Sequence, residues 1–412
     1  MSELTPSLRE FERKLQLLLL AITNSTAHAP MKAGPLYVEH SEPTTRMSSS
    51  PCGYQPRRGL SIPAITVLDA SGRVIEEDQR HLFRHLAQQG RGADILFGVG
   101  TTGEWNRIDN SERQRLIWIE TDEVSRINID ASTRGQQPVE AWVGVTAPTA
   151  KETLSNLECA LEAHADAAVV APLSIASLGD IVSFFQRDVS DLFDHRGRWL
   201  PIFLYDNADI AADPRIPHMR TRDVKRLSRL PFIFGVKVSA PRRVLGNYTK
   251  GAAHFKDKGE FGIYIGNAML MFQLFRQQDG LPGRIREYWN RYLLHNELPI
   301  GVVPGPANVL PREWQRAWRA CYAGDERLMT VYKSAFEQFS SACRFSSGGK
   351  VIKKSIACLK HALKLEGVIG SDLVAKGTRS LDEHERRKFA SRYRGIKEQL
   401  AGATDATWIS RH

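Results

Sequence analysis

The sequence predicts an α/β fold, a (β/α)8 TIM barrel with a C-terminal helical extension. Two observations lead there. Eight short apolar runs recur at 59–66, 93–100, 139–145, 166–173, 201–205, 231–237, 261–266 and 299–305, and amphipathic stretches separate them. Continuous apolar strands alternating with helices indicate a parallel sheet covered on both faces. Eight such repeats over roughly 250 residues match a closed barrel better than an open sheet.

The elements follow in order. GLSIPAIT (59–66) opens the barrel, and EDQRHLFRHLAQQ (77–89) is its first helical pattern. ADILFGVG (93–100) is followed by SERQRLIWIETDEV (111–124), VEAWVGV (139–145) by KETLSNLECALEAH (151–164), and DAAVVAPL (166–173) by LGDIVSFFQRDVSDLF (178–193). PIFLY (201–205) precedes TRDVKRLSRL (221–230), and PFIFGVK (231–237) precedes FGIYIG (261–266). The stretch 267–298 is long for one crossover and reads as two helices, before PIGVVPG (299–305) ends the barrel. Further helical stretches are expected at 313–341, 350–365 and 381–400. The expected organisation is an N-terminal extension and linker over 1–56, a barrel over 57–341 and a helical appendage over 342–412.

Composition narrows the function classes. The formal charge of +10 is dispersed, with no dense basic arm carrying interleaved aromatics, so a nucleic-acid partner is not expected. Five cysteines, with no C-x-x-C, indicate neither a disulfide framework nor a zinc site. No run is long enough to span a membrane. LQLLLLAI (15–22) follows Arg13 and Lys14, but its apolar core is short and Glu3, Glu10 and Glu12 precede it. It reads as a peripheral amphipathic helix or an overlong start rather than a secretion signal, and the expected location is cytoplasmic. His81 and His85 stand four residues apart on an outer helix without the glutamate of a metalloprotease motif, and SSGGK (346–350) lacks the spacing of a phosphate loop. No metal and no cofactor is expected.

The chemistry concentrates where strands end, at the face on which such barrels build their sites. Lys237 ends one apolar run, and burial there lowers an amine's pKa and makes it a nucleophile for carbonyls. An apolar strand ending in lysine can equally extend its amine into solvent. The convergence of Lys237 with Tyr205, at the end of the preceding run, and with TTGE (101–104) favours chemistry. Tyrosine moves protons, and a Thr-Thr-Gly turn offers hydroxyls and N–H groups to a carboxylate. Together these suit a Schiff base with a 2-oxo acid.

At these residues the chain resembles the dihydrodipicolinate synthase and N-acetylneuraminate lyase family of class I aldolases, over roughly 59–400. GTTGE (100–104) is similar to the family's carboxylate loop, PIFLYDN (201–207) to its tyrosine strand and GVK (235–237) to its Schiff-base strand. IPAITV (62–67), GVTAPT (144–149), GPANVLP (305–311) and KKSIACLKHALKLEGVI (353–369) are weaker matches. The resemblance implies Lys237 as the imine-forming lysine, Tyr205 as proton shuttle and Thr101 as its relay partner. Thr102 and Gly103 would hold the substrate carboxylate, and Asn308 lies in the strand-eight match GPANVLP as a further candidate binding residue. Asp206 and Asn207 are candidate binding residues on their own chemistry, since they follow Tyr205 with hydrogen-bonding side chains and no positive charge. The resemblance also implies a homodimer or homotetramer.

Two departures bear on the substrate. The synthase carries a P-Y-Y segment whose tyrosine crosses to a neighbouring subunit; this chain has Pro172-Leu173-Ser174. The synthase places an arginine shortly after its catalytic tyrosine; here none occurs before Arg215. Both argue against dihydrodipicolinate synthesis. Asp206 and Asp209 suggest a hydroxylated, sugar-acid-like substrate. The expected function is a Schiff-base lyase, aldolase or dehydratase, acting on a 2-keto-3-deoxy sugar acid. The alternative is a non-catalytic barrel that binds an oxo acid in a regulatory role.

Overall fold

A computed structural model describes residues 53–176, 178–252, 261–275 and 299–409. The leucine run at 15–22, the linker up to residue 52 and the helical pattern at 285–295 lie outside the described residues.

Each apolar run contains one strand: β1 (Gly59–Pro63), β2 (Ile95–Gly98), β3 (Glu140–Gly144), β4 (Ala167–Val170), β5 (Ile202–Asn207), β6 (Ile233–Ser239), β7 (Gly262–Ile265) and β8 (Gly301–Val302). They form a closed parallel barrel in chain order, with β1 joined to β8 through Gly59–Gly301 and Leu60–Val302. Six strands are shorter than their apolar runs, because the run's last residues turn into the loops of the upper face. The other two go the opposite way. β5 and β6 extend two residues beyond Tyr205 and Lys237, so these side chains stand inside the wall rather than at its end.

The outer helices are α1 (Glu76–Ala87), α2 (Asn110–Thr133), α3 (Ala150–Glu162), α4 (Ile181–Ser183), α5 (Ser190–Arg196), α6 (Thr221–Leu227), α7 (Arg242–Ala252) and α8 (Met271–Leu274), with a π-helical segment, Phe184–Val189, joining α4 to α5. α1 shows the pattern: Leu82, Phe83, Leu86 and Ala87 are buried, while its first turn carries Glu76, Glu77 and Asp78 near the positive end of the helix dipole. α3 starts on Thr149, whose hydroxyl oxygen accepts the Glu152 N–H at 3.2 Å and whose hydroxyl donates to the Glu152 carboxylate at 3.1 Å. Both contacts stabilise the first turn.

The barrel interior is packed, not hollow. Trp142 stacks on Phe203 at 3.8 Å between centroids, and Tyr264 meets both rings edge-on at 4.9 and 5.5 Å. Glycine on the neighbouring strands makes room. A Cβ at Gly235 would lie 2.8 Å from the Phe203 ring, and one at Gly301 would overlap Tyr264. Below this layer Tyr54 lies edge-on to Phe234 at 5.1 Å and donates to Glu140 at 3.0 Å, closing the lower mouth.

After β8, α9 (Pro311–Ala323) packs against β1 and completes the helical coat. The helical stretch expected over 313–341 holds two helices, α9 and α10 (Glu326–Ala342), because Gly324 takes a left-handed conformation (φ +68°) that ends the first. The stretch expected as helix from 350 begins as a strand. β9 (Arg344–Ser347) and β10 (Lys350–Lys353) form an antiparallel hairpin turning on Gly348 and Gly349, at φ +55° and +76°. Two consecutive glycines with positive φ suit a two-residue hairpin turn, and this is the structural role of SSGGK. α11 (Ser355–Leu365) and α12 (Glu383–Ile409) come next and pack together. Among the described residues no helix is long and apolar enough to cross a membrane.

Candidate active site

The register of β5 on β6 builds the site. Tyr205 pairs with Lys237 and Asn207 with Ser239. Side chains alternate along a strand, so all four share the inner face. Lys237 is only 6% exposed, and its Nζ lies 3.9 Å from the Tyr205 ring centroid and 4.6 Å from that of Phe97. Among the described residues no carboxylate forms an ion pair with it. Burial pulls its amine below the ordinary lysine value of 10.5, and the opposing influence of Tyr205 does not offset this. A desolvated amine is held toward its neutral, nucleophilic form.

The Tyr205 hydroxyl is surrounded by polar groups. It lies 3.3 Å from Thr101 Oγ1 and 3.4 Å from Ser239 Oγ, and it accepts from Asn207 Nδ2 at 3.0 Å. Burial alone raises a phenol's pKa. Here the Lys237 charge and the contacts from Ser239, Thr101 and Asn207 outweigh it, and the hydroxyl is held below its ordinary value of 10.0. An amine and a phenol in contact, both held below their ordinary values, are suited to exchange a proton.

The TTGE loop reaches the Tyr205 hydroxyl through Thr101. The chain enters it through Val99 at φ +53°, an outlier for a β-branched residue, and leaves through Glu104 at φ +59°. Such strain persists only where the surroundings enforce it. The Thr66 hydroxyl donates to the Gly103 carbonyl at 2.6 Å, and a Cβ at Gly103 would come within 2.9 Å of the Ala64 carbonyl, so the loop requires glycine there. Among the described residues no protein group accepts from the backbone N–H of Thr102 or Gly103. Both threonines are half-buried, and Thr102 sits beside Gly305 of the β8 loop.

Two expected binding residues are corrected. Asp206 does not face the site. It alternates outward from Tyr205 and is fully buried, with its carboxylate accepting from Met219 N at 2.8 Å, contacting His218 Nδ1 at 2.6 Å and accepting from the Tyr248 hydroxyl. It ties the β5–α6 loop and α7 to the barrel. Asn308 is likewise a brace. Its side chain accepts from Ile65 N at 3.0 Å and donates to the Pro63 and Gly305 carbonyls, both at 2.8 Å, which leaves little capacity for a ligand. Asn207 does face inward, but its amide is committed to the Tyr205 hydroxyl and to Asp209 N. Ser239 joins the site without having been expected there. Its one signal in the sequence is its position two residues after Lys237, on the same face of an extended strand.

Behind the loop, Glu104 and Lys360 of α11 form a fully buried ion pair at 2.6 Å. Glu104 also accepts from Ala375 N at 2.9 Å, and Lys360 donates to the Leu373 carbonyl at 2.7 Å. The C-terminal segment thereby anchors the TTGE turn. Lys360→Ala leaves a buried carboxylate with no cation. The expected cost is about 3–5 kcal/mol, read as a lower denaturation midpoint; an unchanged midpoint would remove this anchoring role.

No family model and no curated protein sequence matches this chain. Solved structures do match in fold. Dihydrodipicolinate synthase from the commensal bacterium Bacteroides thetaiotaomicron aligns over 83% of this chain and 99% of its own, at 23% identity and a TM-score of 0.62. YagE, a prophage protein of the dihydrodipicolinic acid synthase family from E. coli K12 in complex with pyruvate, aligns over 82% and 98%, at 19% identity and 0.63. CdNal from Clostridium difficile in complex with mannosamine aligns over 83% and 100%, at 15% identity and 0.61. The alignments run nearly the full length of these proteins, so the chain is similar in fold to members of the dihydrodipicolinate synthase and N-acetylneuraminate lyase family.

Proposed function

We propose that the chain is a Schiff-base-forming lyase acting on a 2-oxo acid. The observation that carries this reading is the buried, carboxylate-free Lys237 in contact with Tyr205, whose hydroxyl is in turn bound by Thr101. A lysine kept only to pack would not need a polar relay at its side.

The chemistry derives from the geometry. The neutral Lys237 amine adds to the ketone carbon, the nitrogen gives up a proton, and the former carbonyl oxygen takes one. Tyr205, in contact with the amine, is placed to move both. Loss of water then gives a protonated imine. That cation accepts the electron pair released when a bond at the adjacent carbon breaks, whether carbon–carbon in an aldol cleavage or carbon–hydrogen ahead of dehydration. The substrate carboxylate is assigned to the Thr102 and Gly103 N–H groups and the Thr102 hydroxyl.

For the substrate's far end we favour a hydroxylated 2-keto-3-deoxy sugar acid. Arg215, the first arginine after Tyr205, is 87% exposed and paired with Asp213. It offers no inward charge for a second carboxylate, which favours a substrate whose far end carries hydroxyls instead. Turnover of 2-keto-3-deoxy sugar acids should exceed that of aromatic and simple aliphatic 2-oxo acids, and condensation of pyruvate with aspartate semialdehyde should be trivial. Turnover confined to the aromatic set, or robust condensation, would overturn the substrate assignment while leaving the imine chemistry standing.

A further inference from the structure

We propose that Ser239 is a second hydroxyl of the Tyr205 proton relay, opposite Thr101, and that Gly266 is what allows it to sit there. This inference rests on the Schiff-base reading and names a residue that reading does not require.

Three observations support it. The first is donor arithmetic at the phenol oxygen. Asn207 Nδ2 can only donate, so it occupies one lone pair. The Tyr205 proton can then point to one hydroxyl while the other hydroxyl donates back. Thr101 at 3.3 Å and Ser239 at 3.4 Å are the two hydroxyls within reach. The second is placement. Ser239 pairs with Asn207 across β5 and β6, directly above the Tyr205–Lys237 pair, so it is fixed by the sheet and not by a loop. The third is the space made for it. A Cβ at Gly266, just past β7, would overlap the Ser239 hydroxyl, and Gly266 is itself held by its N–H to the Val238 carbonyl at 2.7 Å.

In the relay, Tyr205 gives its proton to the departing hydroxyl of the tetrahedral adduct, which leaves as water. The phenolate left behind is held by donation from Asn207 and from Ser239. The phenolate then takes the next proton, the one abstracted from the imine's adjacent carbon, which restores the phenol, and that proton exchanges with solvent along one of the two hydroxyls. No group is oxidised or reduced. Ser239 touches the phenol rather than the reacting carbon, so it is a positioning residue, and its removal should act on proton-transfer rates rather than on binding.

The test compares Ser239→Ala, Ser239→Thr and Gly266→Ala with the parent chain, using pyruvate as probe. Exchange of the pyruvate methyl protons for deuterium from solvent is followed, together with mass after borohydride reduction. Ser239→Ala should still trap one pyruvate per chain, with exchange slowed about 10- to 100-fold, the effect of losing one hydrogen bond to a charged group. The pyruvate concentration giving half-maximal exchange should be unchanged. Ser239→Thr keeps the hydroxyl and should recover most of the rate. Gly266→Ala displaces the hydroxyl without removing it and should reproduce the defect. Parent-like exchange in Ser239→Ala, or equal loss in Ser239→Thr, would overturn the relay role while leaving the imine assignment intact. Failure of the parent chain to trap pyruvate or any other 2-oxo acid would overturn both.

Discussion

Lys237→Ala is expected to abolish turnover of 2-oxo acids, with a loss on the order of 10⁴-fold or more, as when a covalent nucleophile is removed. Near-complete loss is expected because no second lysine among the described residues serves the site. Lys360 is locked to Glu104 behind the loop. The pH dependence comes from the same environment. Only the neutral amine attacks, so the imine-forming rate should rise with pH through the Lys237 pKa. Burial has moved that pKa below 10.5, so the rising limb should lie below the ordinary lysine range. Steady-state kinetics across pH would show it. A limb at or above 10.5 would mean that the amine is solvated during the reaction.

Tyr205→Phe carries the second large effect. It keeps the ring that lies under the amine and removes the hydroxyl that contacts Thr101, Ser239 and Asn207. Turnover should fall by about 10²- to 10⁴-fold, the range for losing a positioned acid–base group. The KM should change little, because the hydroxyl transfers protons and does not hold the substrate's carboxylate. A raised KM with nearly unchanged turnover would reassign Tyr205 to binding.

The barrel is legible in the sequence because a strand buried on both faces must be apolar throughout, and eight such strands leave a mark that short loops do not blur. Lys237, Tyr205 and the TTGE turn are legible for a related reason: each is a polar group at or just beyond the end of an apolar run. The single-residue alternation within the runs holds more than the run ends do. In PIFLYDN it turns Asp206 outward and keeps Asn207 inward; in GVKVS it places Ser239 beside the tyrosine. Other features have no local signal. The contacts of Asn308 with Pro63 and Ile65 span 245 and 243 residues of sequence, and the Glu104–Lys360 pair joins positions 256 apart. Only the closed barrel, with the C-terminal segment packed on it, brings such groups together. The β9–β10 hairpin is hard to read because an exposed two-stranded ribbon carries little apolar pattern, although its paired glycines are a turn signal.

The central claim is the covalent role of Lys237. Intact mass after borohydride reduction in the presence of pyruvate, followed by peptide mapping, tests it most directly. One reduced adduct per chain, located on Lys237 and absent from Lys237→Ala, is the predicted result. An adduct mapped to another lysine, or its persistence in Lys237→Ala, would contradict it.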